Sequence, residues 1–203
     1  MAGGSARFLW TKKLAVEGKK VLRKKYCPRK NVSVIEKFGG VVIGIDASLR
    51  GTGIAIVDFS APTPKLLFSE KITCHRKLSL SQCIGKIFAE ISAALGSFTV
   101  NVAAIEQTIY VQNHKTSHTL GAAKGAAIAA VTNGNLEVFE YAPLSIKMAI
   151  TGTGTASKEQ VRRTIEKLLG SGNISYDESD AAGIACCHAW RRKLNFPANR
   201  GND

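Results

Sequence analysis

The sequence predicts an α/β domain: a mixed five-stranded sheet flanked by helices. Three observations carry that prediction. Short apolar runs of strand length alternate with longer segments of helical period, in the order three strands, helix, strand, helix, strand, then helices. Two of the strand runs are apolar on both faces and so need cover on both sides. The chain has 203 residues, 45% of them apolar, which suits one ordinary domain with a real core and some length left over.

The elements follow in order. Val41 to Ile45 is a β-branched run and predicts a doubly buried strand. Gly51 and Gly53 precede Ile54 to Val57, a second strand that pairs with the first as a hairpin. After the turn at Pro62 and Pro64, Leu66 to Ile72 predicts a third strand. Ser81 to Leu95 predicts a helix, with Ile84, Ile87, Phe88, Ile91, Ala94 and Leu95 on one face. Val100 to Ile105 predicts another buried strand, Ser117 to Val131 an Ala- and Gly-rich helix, and Glu137 to Tyr141 a short strand. Pro143 suits the first turn of the next helix. Thr151 to Thr155 is a loop, and Ser157 with Gln160 forms a capping box before Val161, Ile165, Leu168 and Leu169 on one helical face. Asp177 to Trp190 is the last helix. No internal repeat is visible.

The net charge of +13 is uneven. Residues 1–40 carry eleven Lys or Arg against Glu17 and Glu36, a surplus of +9, and the tail 191–203 carries a further +3. The body between is nearly neutral. This divides the chain into a basic N-terminal extension (1–40), a folded domain (41–190) and a basic C-terminal tail (191–203), with Gly39-Gly40 as the hinge. The extension reads as an arm that tracks nucleic-acid phosphates, as a solvated tail, or as an organelle-targeting peptide, since it is basic and poor in acids. Within it, Leu14 to Val21 has only weak helical period. No apolar run is long enough to span a membrane. Five cysteines without CxxC spacing argue against a secreted disulfide framework and for a reducing interior. Cys74-His75 and Cys187-His188 lack zinc-site spacing, so buried cysteines and surface histidines are expected.

The informative residues are acids placed where apolar elements stop. Asp46 ends the first strand and Glu106 the fourth, while Asp177 and Asp180 lie three apart in the first turns of the last helix. Taken singly, Asp46 also reads as a turn acid before Ser48, Glu106 as a solvated strand end, and Asp177 with Glu178 and Asp180 as complements of the helix dipole. Taken together they read as a carboxylate cluster for hard divalent cations such as magnesium or manganese, suited to two-metal phosphodiester hydrolysis.

At these residues the chain resembles the RuvC family of Holliday-junction resolvases. Gly44-Ile45-Asp46-Ala47-Ser48-Leu49-Arg50-Gly51-Thr52-Gly53 looks like that family's first motif and Ala104-Ile105-Glu106-Gln107 its second. Leu120 to Gly125 and Val138 to Pro143 continue in the same order, and Asp177-Glu178-Ser179-Asp180-Ala181-Ala182 looks like its last acidic motif. The resemblance runs over about 41–190. It implies an RNase H-like fold and a homodimer in which Asp46, Glu106, Asp177 and Asp180 bind Mg2+, with Mn2+ able to substitute. It implies paired nicks in two strands of like polarity across a four-way DNA junction, in recombination and repair. It also implies a partner complex of the RuvA and RuvB type and a bacterial-type cytoplasmic setting.

Further positions carry over. Lys147 and Lys158 match lysines near the family's active site, where a cation holds a phosphate; each also reads as a solvated helix lysine. The Thr151 to Thr155 loop matches one that approaches the DNA backbone, and also reads as a plain connector. Ile109 stands where the family often places an aromatic wedge; it or its neighbour Tyr110 is expected to press on bases, though Tyr110 also suits core packing. That departure puts the family's cleavage preference in doubt for this chain. Asp46-Ala47 replaces a common Asp-Pro, which bears on turn rigidity rather than chemistry. The small-residue helix 117–131 suits a dimer seam or close intramolecular packing. Two other functions stay open: a junction binder with weak cleavage, and a related nuclease acting on flaps, forks or RNA-containing duplexes.

If the extension tracks phosphates, deleting residues 1–38 flattens the dependence of DNA affinity on salt while nicking persists. Binding isotherms over a potassium chloride series test this, and an unchanged slope rejects it.

Overall fold

A computed structural model describes residues 38–108 and 113–191. Five strands form one sheet: β1 (Val41–Asp46), β2 (Gly51–Asp58), β3 (Lys65–Thr73), β4 (Val102–Glu106) and β5 (Val138–Tyr141). Five helices flank it: α1 (Leu80–Ser97), α2 (His114–Asn133), α3 (Pro143–Thr151), α4 (Lys158–Leu169) and α5 (Tyr176–Arg191). The strand order is β3-β2-β1-β4-β5. The β1–β2 and β2–β3 pairs are antiparallel, whereas β1–β4 and β4–β5 are parallel, so the sheet is mixed as expected.

Alternation along the strands feeds two cores. Ile43, Ile45, Ile54, Ile56 and Ile105 point to the face covered by α1 and α2, where Ile87, Ile91, Ala123 and Ala127 meet them. Val42, Ala55, Val57 and Ala104 point to the other face, beneath α3, α4 and α5. The two-faced burial explains why β1 and β2 read as continuous apolar runs.

The predicted boundaries shift for identifiable reasons. Strand β4 begins at Val102 rather than Val100, behind an exposed Asn101 that clasps the start of β1: its side-chain oxygen accepts from the Val41 amide at 2.7 Å, and its own amide donates to the Val41 carbonyl at 2.9 Å. Helix α2 begins at His114 because Asn113 caps it, accepting from the Lys115 and Thr116 amides. Helix α1 begins on a capping box of Ser79 and Gln82. The expected box of Ser157 and Gln160 starts α4, and Pro143 opens α3. Folded structure begins ahead of the Gly39-Gly40 hinge. Gly40 is buried with its carbonyl accepting from the Phe59 amide, and Phe38 packs on the core.

The histidine expectation needs correction at one position. His75, His114 and His118 are exposed, but His188 is fully buried. The Tyr141 hydroxyl lies 2.8 Å from its Nδ1, and the Phe38 and Phe139 rings pack on the imidazole. A polar partner and an aromatic cage make a helix histidine cheaper to bury than its residue type suggests. Cys74, Cys83, Cys186 and Cys187 are buried and free, as expected.

Helix α5 lies directly against the backbone of β1 and β2, which two glycines permit. A Cβ on Gly44 would stand 2.0 Å from the Ala181 carbonyl oxygen, and one on Gly53 the same distance from that of Asp177. Either methyl would force the helix off the sheet. Gly44→Ala or Gly53→Ala is therefore expected to cost about 2–3 kcal/mol in urea denaturation. Gly85→Ala, on an open face of α1, should instead stabilise by about 0.5–1 kcal/mol.

Candidate active site

The strand ends place the first two acids. Strands β1 and β4 are parallel neighbours with Ile45 opposite Ile105, so Asp46 and Glu106 leave the sheet side by side. The turn after Asp46 is fastened by other groups. Ser48 Oγ donates to the Gly51 carbonyl, and Thr52 Oγ1 to that of Ser48. Arg50 reaches out from the same turn to the His75 and Leu78 carbonyls, tying it to the loop before α1. Asp46 itself is thus not spent as a turn acid.

Helix α5 supplies the third acid. Its close seating on Gly44 and Gly53 brings Asp180 to a cleft of about 210 Å³ that Asp46 and Glu106 also line. Lys147 from α3 and Lys158 from α4 face into it, over an apolar wall of Pro143, Ile146, Val161 and Ile184. A second hollow of about 240 Å³ shares Asp46 and Glu106 and runs past Gln107 and Thr108 to Lys124. Asp177 stands at the rim, outside the lining of either hollow. Its carboxylate pairs with Lys71 of β3 at 2.5 Å. Ile109 and Tyr110, the N-terminal extension before residue 38 and the tail after residue 191 lie outside the described residues.

The electrostatics are those of like charges held together out of water. Burial pushes the Asp46 carboxyl up to about 7, and the Glu106 and Asp180 charges beside it add to the effect. Glu106 and Asp180 are also raised, by burial first. Lys158 opposes this: its ammonium donates to Asp180 at 3.4 Å, and that pairing raises the lysine's own pKa. Lys147 and Lys124 act on Glu106 in the same sense. Lys147 and Lys158 thus both line the cleft that holds the acids, and Lys158 pairs with one of them.

Lys71, Lys124 and Ser69 were not singled out in the sequence. Lys124 pairs with Glu140 at 2.8 Å, and Ser69 donates to Glu178 at 2.7 Å, tying β3 to the start of α5. No local signal marked Lys71: β3 carries Ser69, Glu70 and Lys71 in succession, and it is the strand register that sets Lys71 opposite the motif glycine Gly53.

The donor set is carboxylate oxygen throughout, crowded and partly desolvated, which fits a hard divalent cation. Among the described residues no three such groups already converge as a closed ligand cage, and Asp180 and Asp177 are each held by a lysine.

This sheet order, with acids at adjacent strand ends and on the last helix, defines the RNase H-like class. The crossover junction endodeoxyribonuclease RuvC family matches residues 42–188, and the chain belongs to that family. A RuvC of Chromohalobacter salexigens is 39% identical over 163 residues, 79% of this chain and 87% of the relative. One from Cupriavidus metallidurans is 36% identical over 149 residues, 73% and 82% of the two chains. Thermus thermophilus RuvC, solved in complex with a Holliday junction substrate, superposes with a TM-score of 0.70 at 27% identity, over 74% of this chain and 93% of that one. The yeast mitochondrial Holliday junction resolvase Ydc2 shares the fold, with a TM-score of 0.54 at 13% identity over 76% and 81% of the chains.

A carboxyl raised in the folded state keeps its proton there while the unfolded chain has lost it. The contribution of Asp46 to metal-free stability is therefore fullest near pH 4 and falls as pH rises to about 7. Asp46→Asn removes the charge, so in EDTA at pH 8 its Tm should exceed the wild type's by roughly 3–6 °C, and the gap should close toward pH 4. Thermal denaturation across that range checks this.

Proposed function

We propose that this chain is a divalent-metal-dependent, structure-selective endonuclease that resolves four-way DNA junctions by paired symmetric nicks during recombination and repair. One observation carries the reading: Asp46, Glu106 and Asp180 share one desolvated cleft with two lysines, in a chain whose family match spans the folded domain. A protein that only bound DNA would gain by losing negative charge beside phosphate. The junction-bound relative supports the choice of substrate.

Asp46, Glu106 and Asp180 hold the cation, magnesium in the cell with manganese as a substitute, and Asp177 joins them as a ligand or as a proton acceptor. When bound, the cation polarises the phosphate and lowers the pKa of an attacking water. Lys147 and Lys158, at the mouth of the cleft, hold phosphate oxygens of the cleaved strand and offset its charge as it enters. The Thr151 to Thr155 loop keeps its shape through Thr151 Oγ1, which donates to the Lys147 carbonyl, and the contact of the Thr153 and Thr155 hydroxyls at 2.9 Å. It lies between the helices bearing the two lysines and approaches the DNA backbone. Ile109 and Tyr110 press on bases near the crossover.

A two-fold substrate calls for two sites, and a homodimer supplies one for each strand. Its support here is the outward face of α2, where exposed Gly121, Gly125 and Ala129 recur at every fourth residue. A branch-migration complex of the RuvA and RuvB type and a bacterial-type cytoplasmic setting complete the assignment. Among the described residues no helix is long and apolar enough to cross a membrane.

A mobile synthetic four-way junction, with Mg2+ or EDTA, separates the possibilities. Paired symmetric nicks are expected with wild type and Mg2+, and Asp46→Asn should lose at least about 100-fold in rate while still binding. Equal cleavage of a flap would shift the assignment to another branched substrate. Tight binding without cleavage would reject the nuclease.

A further inference from the structure

The Lys71–Asp177 pair is built into the fold. Lys71 sits on β3 opposite Gly53, the glycine against which the Asp177 carbonyl rests. The space where the two side chains meet is kept open by Gly51. A Cβ there would stand 3.2 Å from Lys71 Cε and 3.7 Å from both Lys71 Nζ and Asp177 Oδ1. Two residues back on the same face of β3, Ser69 donates to Glu178, so strand and helix are joined at consecutive helical residues.

Lys158 acts on Asp46, Glu106 and Asp180 across the cleft and also feels the Asp177 charge, but the direct ion pair to Asp177 at the rim is made by Lys71. Of the four acids at the site, Asp177 is the one outside the cleft lining, and it is the one with this lysine. Lys71 is 44% exposed, and its flexible stem can leave without disturbing the core.

We propose that Lys71 is a positioning residue acting through Asp177: an internal counter-ion that holds this carboxylate at the rim and must release it before it can serve a divalent cation. This rests on the carboxylate–metal reading above. The ammonium and the metal compete for one carboxylate, so the lysine weakens metal binding and lets the pair re-form when the metal leaves.

Calorimetric titration with Mn2+ tests this without reference to cleavage. Wild type, Lys71→Met, Lys71→Arg, Asp46→Asn and Lys65→Met are compared, the last removing a charge at the far end of the same strand. Lys71→Met should bind Mn2+ about 3- to 10-fold more tightly than wild type, while Lys71→Arg and Lys65→Met stay within about twofold of it. Unchanged or weaker binding in Lys71→Met, with Asp46-dependent binding intact in wild type, would overturn the role of Lys71 alone. No Asp46-dependent Mn2+ binding in wild type would overturn the metal reading and this proposal with it.

Discussion

Holding several carboxylates together at the edge of a hydrophobic core is the constraint on which this structure turns. Burial and mutual repulsion both oppose their ionisation, and the raised carboxyl of Asp46 measures that opposition. The fold imposes the arrangement by backbone means. Two parallel strands end in register, and a helix is seated on bare glycine backbone, so the acids meet whatever their charges prefer. Side chains then moderate the conflict. Lysines from α3, α4 and β3 surround the acids without filling the cleft between them.

Much of this was legible in the residues. The period of each apolar run reports local burial, which is why the five strands and their helices emerge in the right order. The acids stood out by chain-local position: Asp46 and Glu106 end apolar strands, and Asp177 and Asp180 lie in the first turns of the last helix. What escaped was set across the sheet. Lys71 reaches Asp177 through the β2–β3 register, and no property of residues near 71 encodes which helix lies above it. His188 was misjudged for a related reason. Its burial depends on Tyr141, Phe139 and Phe38, contributed from two distant parts of the chain. Helix starts at Ser79 and Asn113 were readable in principle, since their caps are local, and the boundaries moved by only a few residues.

The basic surplus and the carboxylate cluster belong to different parts of the sequence. The ends of the chain carry nearly all the net positive charge, while the folded body is close to neutral. The acids of the cleft would repel phosphate were they left uncompensated. Lys147, Lys158 and Lys124 lie within that body and act over short distances on particular acids.

Strand β1 is the middle of the sheet, bonded along both edges and covered on both faces, and β4 beside it is bonded to β1 and β5. Asp46 and Glu106 therefore share the stiffness of the most constrained part of the molecule. Asp177 and Asp180 belong to the first turns of a helix seated on the sheet at Gly53 and Gly44, and only their lysine partners are long and partly solvated. The site is anvil and spring: strain introduced by anything that grips all its acids is taken up by the lysine stems, not by the sheet or the helix seated on it.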